Sequence, residues 1–398
     1  MAYFSLVMTS YYLLKPIREA LFLDTQGVNS FPVVHLWNCL ATFLAVQAYD
    51  RAARRWRAGR LAVWSGPVLA LQILIFWVIL EHNWLERWLP WLYYVWVSVF
   101  SVFAPALFWT LVNNAFTTRD GEKYFGLVAA GGILGGIAGS ALVHWLTPLL
   151  GREKLLLVAA VVLAPLILLA VPLDRARLPA PQAELPRLQA TGSAWSLLRD
   201  PYLLAIAALM FVTMLGAEFA DHQTQRVLGM AGLKGDALTD FYGQIYGITN
   251  ALGLTLNLVL SRTLLKRFGP GPGLLALQLA VMFKAVAIAC SPVPSTLLWA
   301  LSLDLGIHYS LFQASKEVLF LPTHPEVKYR AKTLIDTFLF RLGIGLGALL
   351  VLFWLRDVSL PTLSGCVLAT SLAGGGLSLG LARQFRQRAN QSSFRAEE

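Results

Sequence analysis

The chain reads as twelve runs of about 20 mostly apolar residues, the length a helix needs to cross the hydrocarbon core of a bilayer. The first six runs lie at 2–23, 30–49, 61–80, 89–116, 125–149 and 155–173. The second six lie at 202–222, 241–260, 274–289, 295–321, 333–354 and 362–381. Apolar and polar positions within them do not alternate, as the strands of a membrane barrel would. The pattern predicts an all-α polytopic membrane protein of twelve transmembrane helices in two six-helix halves. The halves are residues 1–173 and 201–382. Between them 174–200 forms a polar linker containing Pro179, Pro181 and Pro186, and 383–398 forms a polar tail.

Composition agrees. Of the 398 residues 57% are hydrophobic and only 14% charged, and mean hydropathy is +0.61. A soluble chain is nearer one-quarter charged and could not hide so much apolar surface. Cys39, Cys290 and Cys366 lie far apart and form no disulfide framework. The net charge of +10 is a matter of topology: loops after even-numbered runs, with the tail, hold 21 of the 32 Lys and Arg, against 6 in loops after odd-numbered runs. The positive-inside rule then puts both termini, the linker and the tail in the cytoplasm. The densest cluster, Arg51, Arg54, Arg55, Arg57 and Arg60, is a cytoplasmic loop touching anionic lipid rather than a nucleic-acid site. Met1 opens directly onto the first run with no basic segment before it, so no cleaved signal peptide is expected.

The two halves share a local pattern. Asp-Gly-Glu-Lys-Tyr at 120–124 follows the fourth run, and Pro-Glu-Val-Lys-Tyr at 325–329 follows the tenth. Glycines spaced by four come next, Gly131, Gly135 and Gly139 in one half and Gly343 and Gly347 in the other. That spacing places them on one helix face, where two backbones can approach closely. They lie in apolar runs and lack the Gly-Lys-Ser/Thr ending of a phosphate-binding loop.

Eleven charged residues fall inside the runs or near their ends: Lys15, Arg18, Lys284, Lys316 and Arg341 with Glu19, Glu218, Asp221, Asp304, Glu317 and Asp336. Each costs about 2.5–3.5 kcal/mol at a helix centre, so they should face one another or a water-filled cavity. Asp221 and Asp336 have an interfacial alternative, and Lys284 could snorkel its ammonium to the interface. Glu19 and Glu317 are placed to be counter-ions to Arg18 and Lys316. Runs one, seven and ten carry eight of the eleven, and run four carries Asn113 and Asn114. In a body built from three-helix repeats these four positions are equivalent, as in a rocker-switch carrier. The six histidines show no metal-ligand spacing, and no nucleophile–base arrangement or nucleotide-hydrolysis motif is present, so neither an enzyme nor a metal site is expected.

Three stretches carry a family resemblance. Tyr-Leu-Leu-Lys-Pro-Ile-Arg-Glu-Ala-Leu at 12–21 resembles the first-helix signature of the ATP:ADP antiporter family, with its basic, basic and acidic positions on Lys15, Arg18 and Glu19. Leu107-Phe-Trp109, Asn113 and Thr117 resemble its fourth-to-fifth helix stretch. The longest match is Tyr-Ser-Leu-Phe-Gln-Ala-Ser-Lys-Glu at 309–317, followed by Lys328, Lys332, Ile335-Asp336 and Leu342-Gly343. Glu218 falls where that family carries an acidic residue used in transport. The resemblance spans roughly residues 10–350 and implies a shortened bacterial-type member with the major facilitator fold in the inner membrane. It implies exchange of ATP for ADP or related phosphate-bearing solutes, with no bound cofactor. The family's acid in the span leading to Leu-Phe-Trp has no counterpart, since no Asp or Glu lies between Glu86 and Asp120, and its N-terminal arm has none either.

The expected partners are a nucleotide or other small anionic substrate and membrane lipids, with no nucleic acid and the chain a monomer. Lys15, Arg18, Lys316, Arg341 and Asn113 are the candidate substrate-binding residues. Glu19, Glu218, Glu317, Asp304 and Asp336 are the candidate coupling or counter-ion residues. Five cations against six acids leave no positive surplus. Two other readings therefore stay open: a proton-coupled carrier using Glu218 or Asp304, and a non-transport sensor or lipid-handling protein that keeps the fold.

Overall fold

The computed structural model describes all residues except 56–57, 116–117, 167, 170, 172–193, 324–326, 328–330, 333 and 397–398. Most of the expected linker thus lies outside the described residues. The rest folds into helical rods joined by short connections. In the first half these are α1 (Ala2–Gln26), α2 (Phe31–Arg55), α3 (Ala58–Glu81), α4 (Leu89–Ala115), α5 (Thr118–Leu150) and α6 (Leu155–Leu163). In the second half they are α7 (Pro201–Ala231), α8 (Gly235–Phe268), α9 (Gly271–Cys290), α10 (Pro294 to Leu319), α11 (Leu334–Leu355) and α12 (Leu360–Ala396). Among the described residues nine candidate spans are long and apolar enough to cross a membrane. Helices are the expected solution, because no water is available in hydrocarbon to satisfy an open backbone.

The helices follow the apolar runs, with two kinds of departure. The sixth run was expected to continue unbroken to residue 173, but α6 is interrupted after Leu163, and the described residues Leu166, Leu168, Leu169 and Val171 are helical again. Pro165 explains the break: it has no N–H to give, and its ring displaces the preceding turn. Elsewhere the helices widen locally to π-helical geometry, at Leu256–Ser261 in α8, His308–Phe312 in α10, and Leu334–Leu339 and Val351–Leu355 in α11. Such bulges leave no compositional trace in an apolar run, and they are frequent at functional sites.

Two compact units make up the chain. The first comprises Met1–Ser30, Trp37–Glu184 and Gly232–Asn250; the second comprises Phe31–Leu36, Leu185–Ala231 and Ala251–Glu398. The exchange of segments is reciprocal but unequal, since Phe31–Leu36 at the start of α2 belongs to the second unit and the longer Gly232–Asn250, with the first part of α8, to the first. In the first unit α1 packs on α4, α5 and α6, and α3 packs on α4 and α6. In the second, α7 packs on α10, α11 and α12, and α9 packs on α10 and α12. Adding six to each label of the first set reproduces the second. The halves are structural repeats.

The glycine series carries the closest of these contacts. A Cβ on Gly131, Gly135 or Gly139 would strike the carbonyl oxygens of Met1, Ser5 and Thr9 in turn, so α5 lies backbone to backbone on α1. In the second unit Gly343 and Gly347 do the same against α7, where a Cβ would come within 2.8 Å of the Phe211 oxygen and 2.7 Å of the Glu218 Cβ. Small residues at such a seam substitute dispersion contact for the hydrophobic drive that lipid cannot supply. Side chains such as Trp37, Phe43, Trp145, Leu168, Val259 and Trp354 stay exposed, as expected of faces that meet lipid rather than water.

Candidate functional site

In the first unit the charges sit mid-way along α1. Lys15 is 7% exposed, with its Nζ 3.9 Å from the Tyr246 ring centroid, 5.7 Å from that of Tyr12 and 5.9 Å from that of Tyr11. Three phenol faces thus supply the negative potential that water would otherwise supply. One turn further on, Arg18 forms an ion pair with Glu19, donates from Nη1 to the Ser98 hydroxyl at 3.0 Å, and lies 4.5 Å from the Tyr94 ring centroid. Tyr94 donates its own hydroxyl to the second Glu19 oxygen at 3.3 Å. Arg18 Nε is buried and has no acceptor among the described residues. A buried donor without a partner costs about 1–3 kcal/mol, so its retention needs a reason. Asn113 lies on α4, but its side chain is outside the described residues.

The second unit distributes its charges over three helices. Lys284 of α9 and Asp304 of α10 form an ion pair whose side chains are 4% and 9% exposed. This corrects the snorkelling alternative: the ammonium points inward to an acid. Lys316 bonds Asp336 of α11 at 3.3 Å rather than its chain neighbour Glu317. Glu317 instead pairs with Lys332 at 2.5 Å, both more than a third exposed. Consecutive residues on a helix point about 100° apart, and here each of the two finds an opposite charge on its own side, Asp336 for Lys316 and Lys332 for Glu317. Arg341 is half-buried on α11 and has no ion-pair partner among the described residues. Glu218 of α7 accepts a contact from His35 Nδ1 at 2.8 Å, and Asp221 lies 3.9 Å from the other nitrogen of the same ring. His35 comes from the opening turns of α2, and no periodicity or motif singled it out.

A cavity of about 220 Å³ opens among these helices of the second unit, lined by Thr213, Glu218, Gln278, Lys284, Asp304 and His308. His308 begins the π-helical stretch of α10, with its ring stacked 5.4 Å from Phe312. At about 30 Å³ per water molecule the cavity is large enough for several waters, and it is below the roughly 300–1,000 Å³ typical of organic-ligand pockets. Among the described residues no group of His, Cys, Asp and Glu could hold a metal ion.

No family model matches the chain, and no curated protein matches it in sequence. Solved structures do match in shape. A bacterial homologue of the iron transporter ferroportin, in an inward-facing state, aligns with a TM-score of 0.64 at 14% identity over 96% of both chains. The nucleoside transporter NupG aligns at 0.57 and 16% identity over 97% of this chain and 98% of that one. A bacterial homologue of the human lysosomal transporter Spinster, inward-facing and unoccupied, aligns at 0.54 and 17% identity over 97% of this chain and 98% of that one. Full-length alignment at such low identity is a likeness of fold. The chain is an all-α polytopic membrane protein with the major facilitator fold.

Proposed function

We propose that this chain is a membrane carrier of the ATP:ADP antiporter type, exchanging nucleotides or related phosphate-bearing solutes by alternating access. The observation that carries the proposal is Arg18: a buried guanidinium with two nitrogens engaged and Nε without an acceptor among the described residues. A planar guanidinium with a spare donor suits a phosphate oxygen better than a point charge does. Each unit brings its own cations to this reading, Lys15 and Arg18 in the first and Lys316 and Arg341 in the second, with Asn113 of α4 as a neutral donor. The acids Glu19, Asp304 and Asp336 neutralise Arg18, Lys284 and Lys316 when no substrate is bound. Exchange follows from that balance, because closing over an unpaired buried charge costs several kcal/mol. Purified protein in liposomes takes up labelled ATP only against internal nucleotide on this proposal. Equal uptake into nucleotide-free vesicles overturns it.

A proton-coupled carrier is the second reading, and the cavity of the second unit favours it. The cavity is small for a nucleotide and holds three groups that can exchange protons, Glu218, Asp304 and His308. Uptake driven by an imposed pH gradient and lost in Glu218→Gln selects this reading over exchange.

A further inference from the structure

The first unit carries another cavity, of about 520 Å³, built from the end of α1 and the α3–α4 and α5–α6 connections. The end of α1 and both connections lie at the far ends of odd-numbered helices, the side poor in Lys and Arg, so the cavity opens away from the cytoplasm by the charge bias. Its wall includes Gln26, Asn83, Trp84, Glu86, Arg87 and Arg152. Nothing in the transport reading uses it.

The charges here differ in what already holds them. Arg152 is compensated, bonding Asp24 at 3.1 Å and Glu153 at 3.3 Å. Glu86 and Arg87 make no ion pair among the described residues, although they are adjacent and line the same cavity. The backbone that presents them is fixed in an uncommon way. Asn83 and Leu85 both take left-handed conformations, at φ 53° and 57°. Trp84 N–H closes back on the Ile79 carbonyl at 2.9 Å, and Trp88 N–H on that of Leu85 at 2.8 Å. A leucine is rarely found in that region, and such backbone persists where the surroundings hold it for a purpose. On the Gln26 side, Trp91 Nε1–H donates to the side-chain amide oxygen of Gln26 at 2.9 Å and steadies that wall.

The rim says where the cavity opens. Trp84 and Trp88 are 57% and 61% exposed on this connection. Exposed tryptophans at a helix end mark the headgroup level of a bilayer. A ligand reaching this cavity from that level meets the exposed guanidinium of Arg87 beside the exposed carboxylate of Glu86, neither held in an ion pair among the described residues. An anionic headgroup would satisfy Arg87 and be repelled by Glu86, whereas a zwitterion satisfies both. A primary ammonium can donate hydrogen bonds to the carboxylate, which a trimethylated one cannot. We propose that this cavity binds the phosphoethanolamine headgroup of a membrane phospholipid, with its phosphate on Arg87 and its ammonium on Glu86.

The test is thermal unfolding of the purified full chain in detergent with added lipid. Phosphatidylethanolamine should raise Tm more than phosphatidylcholine or phosphatidylglycerol does. Glu86→Gln should level the ethanolamine and choline lipids, and Arg87→Gln should reduce the response to both. The readout is the difference between two lipids within each variant, so a lower starting Tm does not obscure it. Soluble glycerophosphoethanolamine distinguishes the sources: an effect equal to the lipid's assigns the site to a free headgroup, and an effect of the diacyl lipid alone assigns it to the membrane. Equal shifts for the ethanolamine and choline lipids in the unaltered chain, a preference for phosphatidylglycerol, or an ethanolamine preference that survives both substitutions overturns the proposal.

Discussion

In the first unit Lys15 sits among the rings of Tyr11, Tyr12 and Tyr246, and Arg18 shares the Glu19 carboxylate with Tyr94 and donates to the Ser98 hydroxyl. In the second, Lys284 and Lys316 are each matched to an acid on a neighbouring helix, Asp304 and Asp336. Aromatic faces lower the cost of a buried cation without cancelling its charge. A carboxylate cancels the charge outright, and an incoming ligand must then compete with it. The first unit thus surrounds its cations with rings as well as with the Glu19 carboxylate, whereas the second sets an acid of another helix against Lys284 and Lys316.

Breaking the second arrangement gives the largest expected effect. Lys284→Met leaves Asp304 buried without its partner and should destabilise the fold by about 3–5 kcal/mol, read as a fall in Tm in detergent. The double variant Lys284→Met with Asp304→Leu removes both charges and should recover most of that loss. If the double variant is no more stable than the single one, neutralisation is not what the pair provides.

The matching substitution in the first arrangement is Arg18→Lys. It keeps the charge and the ion pair with Glu19 but removes the spare planar donor. Nucleotide exchange in liposomes should fall about tenfold, equivalent to about 1.4 kcal/mol of lost stabilisation, while Tm changes little. A large loss of Tm with exchange per folded molecule unchanged makes Arg18 a structural residue.

This asymmetry was only partly visible in the sequence. Charges within apolar runs are conspicuous because hydrocarbon penalises them, and the glycines spaced by four announced close backbone packing, though not that α1 and α7 are the helices packed against. What a charge pairs with is set by the neighbouring helix. Lys284 and Asp304 lie on consecutive helices, as do Lys316 and Asp336, and nothing along the chain said that they face each other. Glu317 looked like the partner of Lys316 because they are adjacent, as Arg18 and Glu19 are, but Asp336 of α11 and Lys332 take the two charges instead. His35 gave no signal at all: one histidine near the start of an apolar run becomes meaningful only where its ring meets Glu218. The tyrosines around Lys15 were equally hidden, because aromatic residues are common in every membrane span.

Glu218 tests whether the cancelled charges of the second unit also carry protons. On the exchange reading, Glu218→Gln loses a charged partner of His35, and nucleotide exchange should slow by no more than about threefold, below 1 kcal/mol in the barrier. An imposed pH gradient should leave uptake unchanged in both forms. Gradient-driven uptake in the unaltered chain, abolished by the substitution, moves the balance to proton coupling.

The smallest expected effect comes from an ion pair outside the membrane, where water competes with the partner. Asp200, just before α7, bonds Arg388 of α12 at 2.6 Å, and it accepts the Tyr202 N–H at 2.9 Å. Burial alone would raise its pKa, but these hydrogen bonds and the guanidinium charge outweigh that and hold the carboxyl below its ordinary value of 3.8. A carboxyl depressed in the folded state contributes stability above its unfolded pKa and loses it as pH falls through the folded value. Asp200→Asn should therefore lower Tm slightly at neutral pH, and the gap to the unaltered chain should close below about pH 4. Both side chains are about one-third exposed, so the gap should be small and should shrink in high salt. The buried Lys284–Asp304 pair should respond to salt far less. A salt response as large for Lys284→Met as for Asp200→Asn would mean that water reaches both pairs alike, and the contrast between buried and aqueous neutralisation would fail.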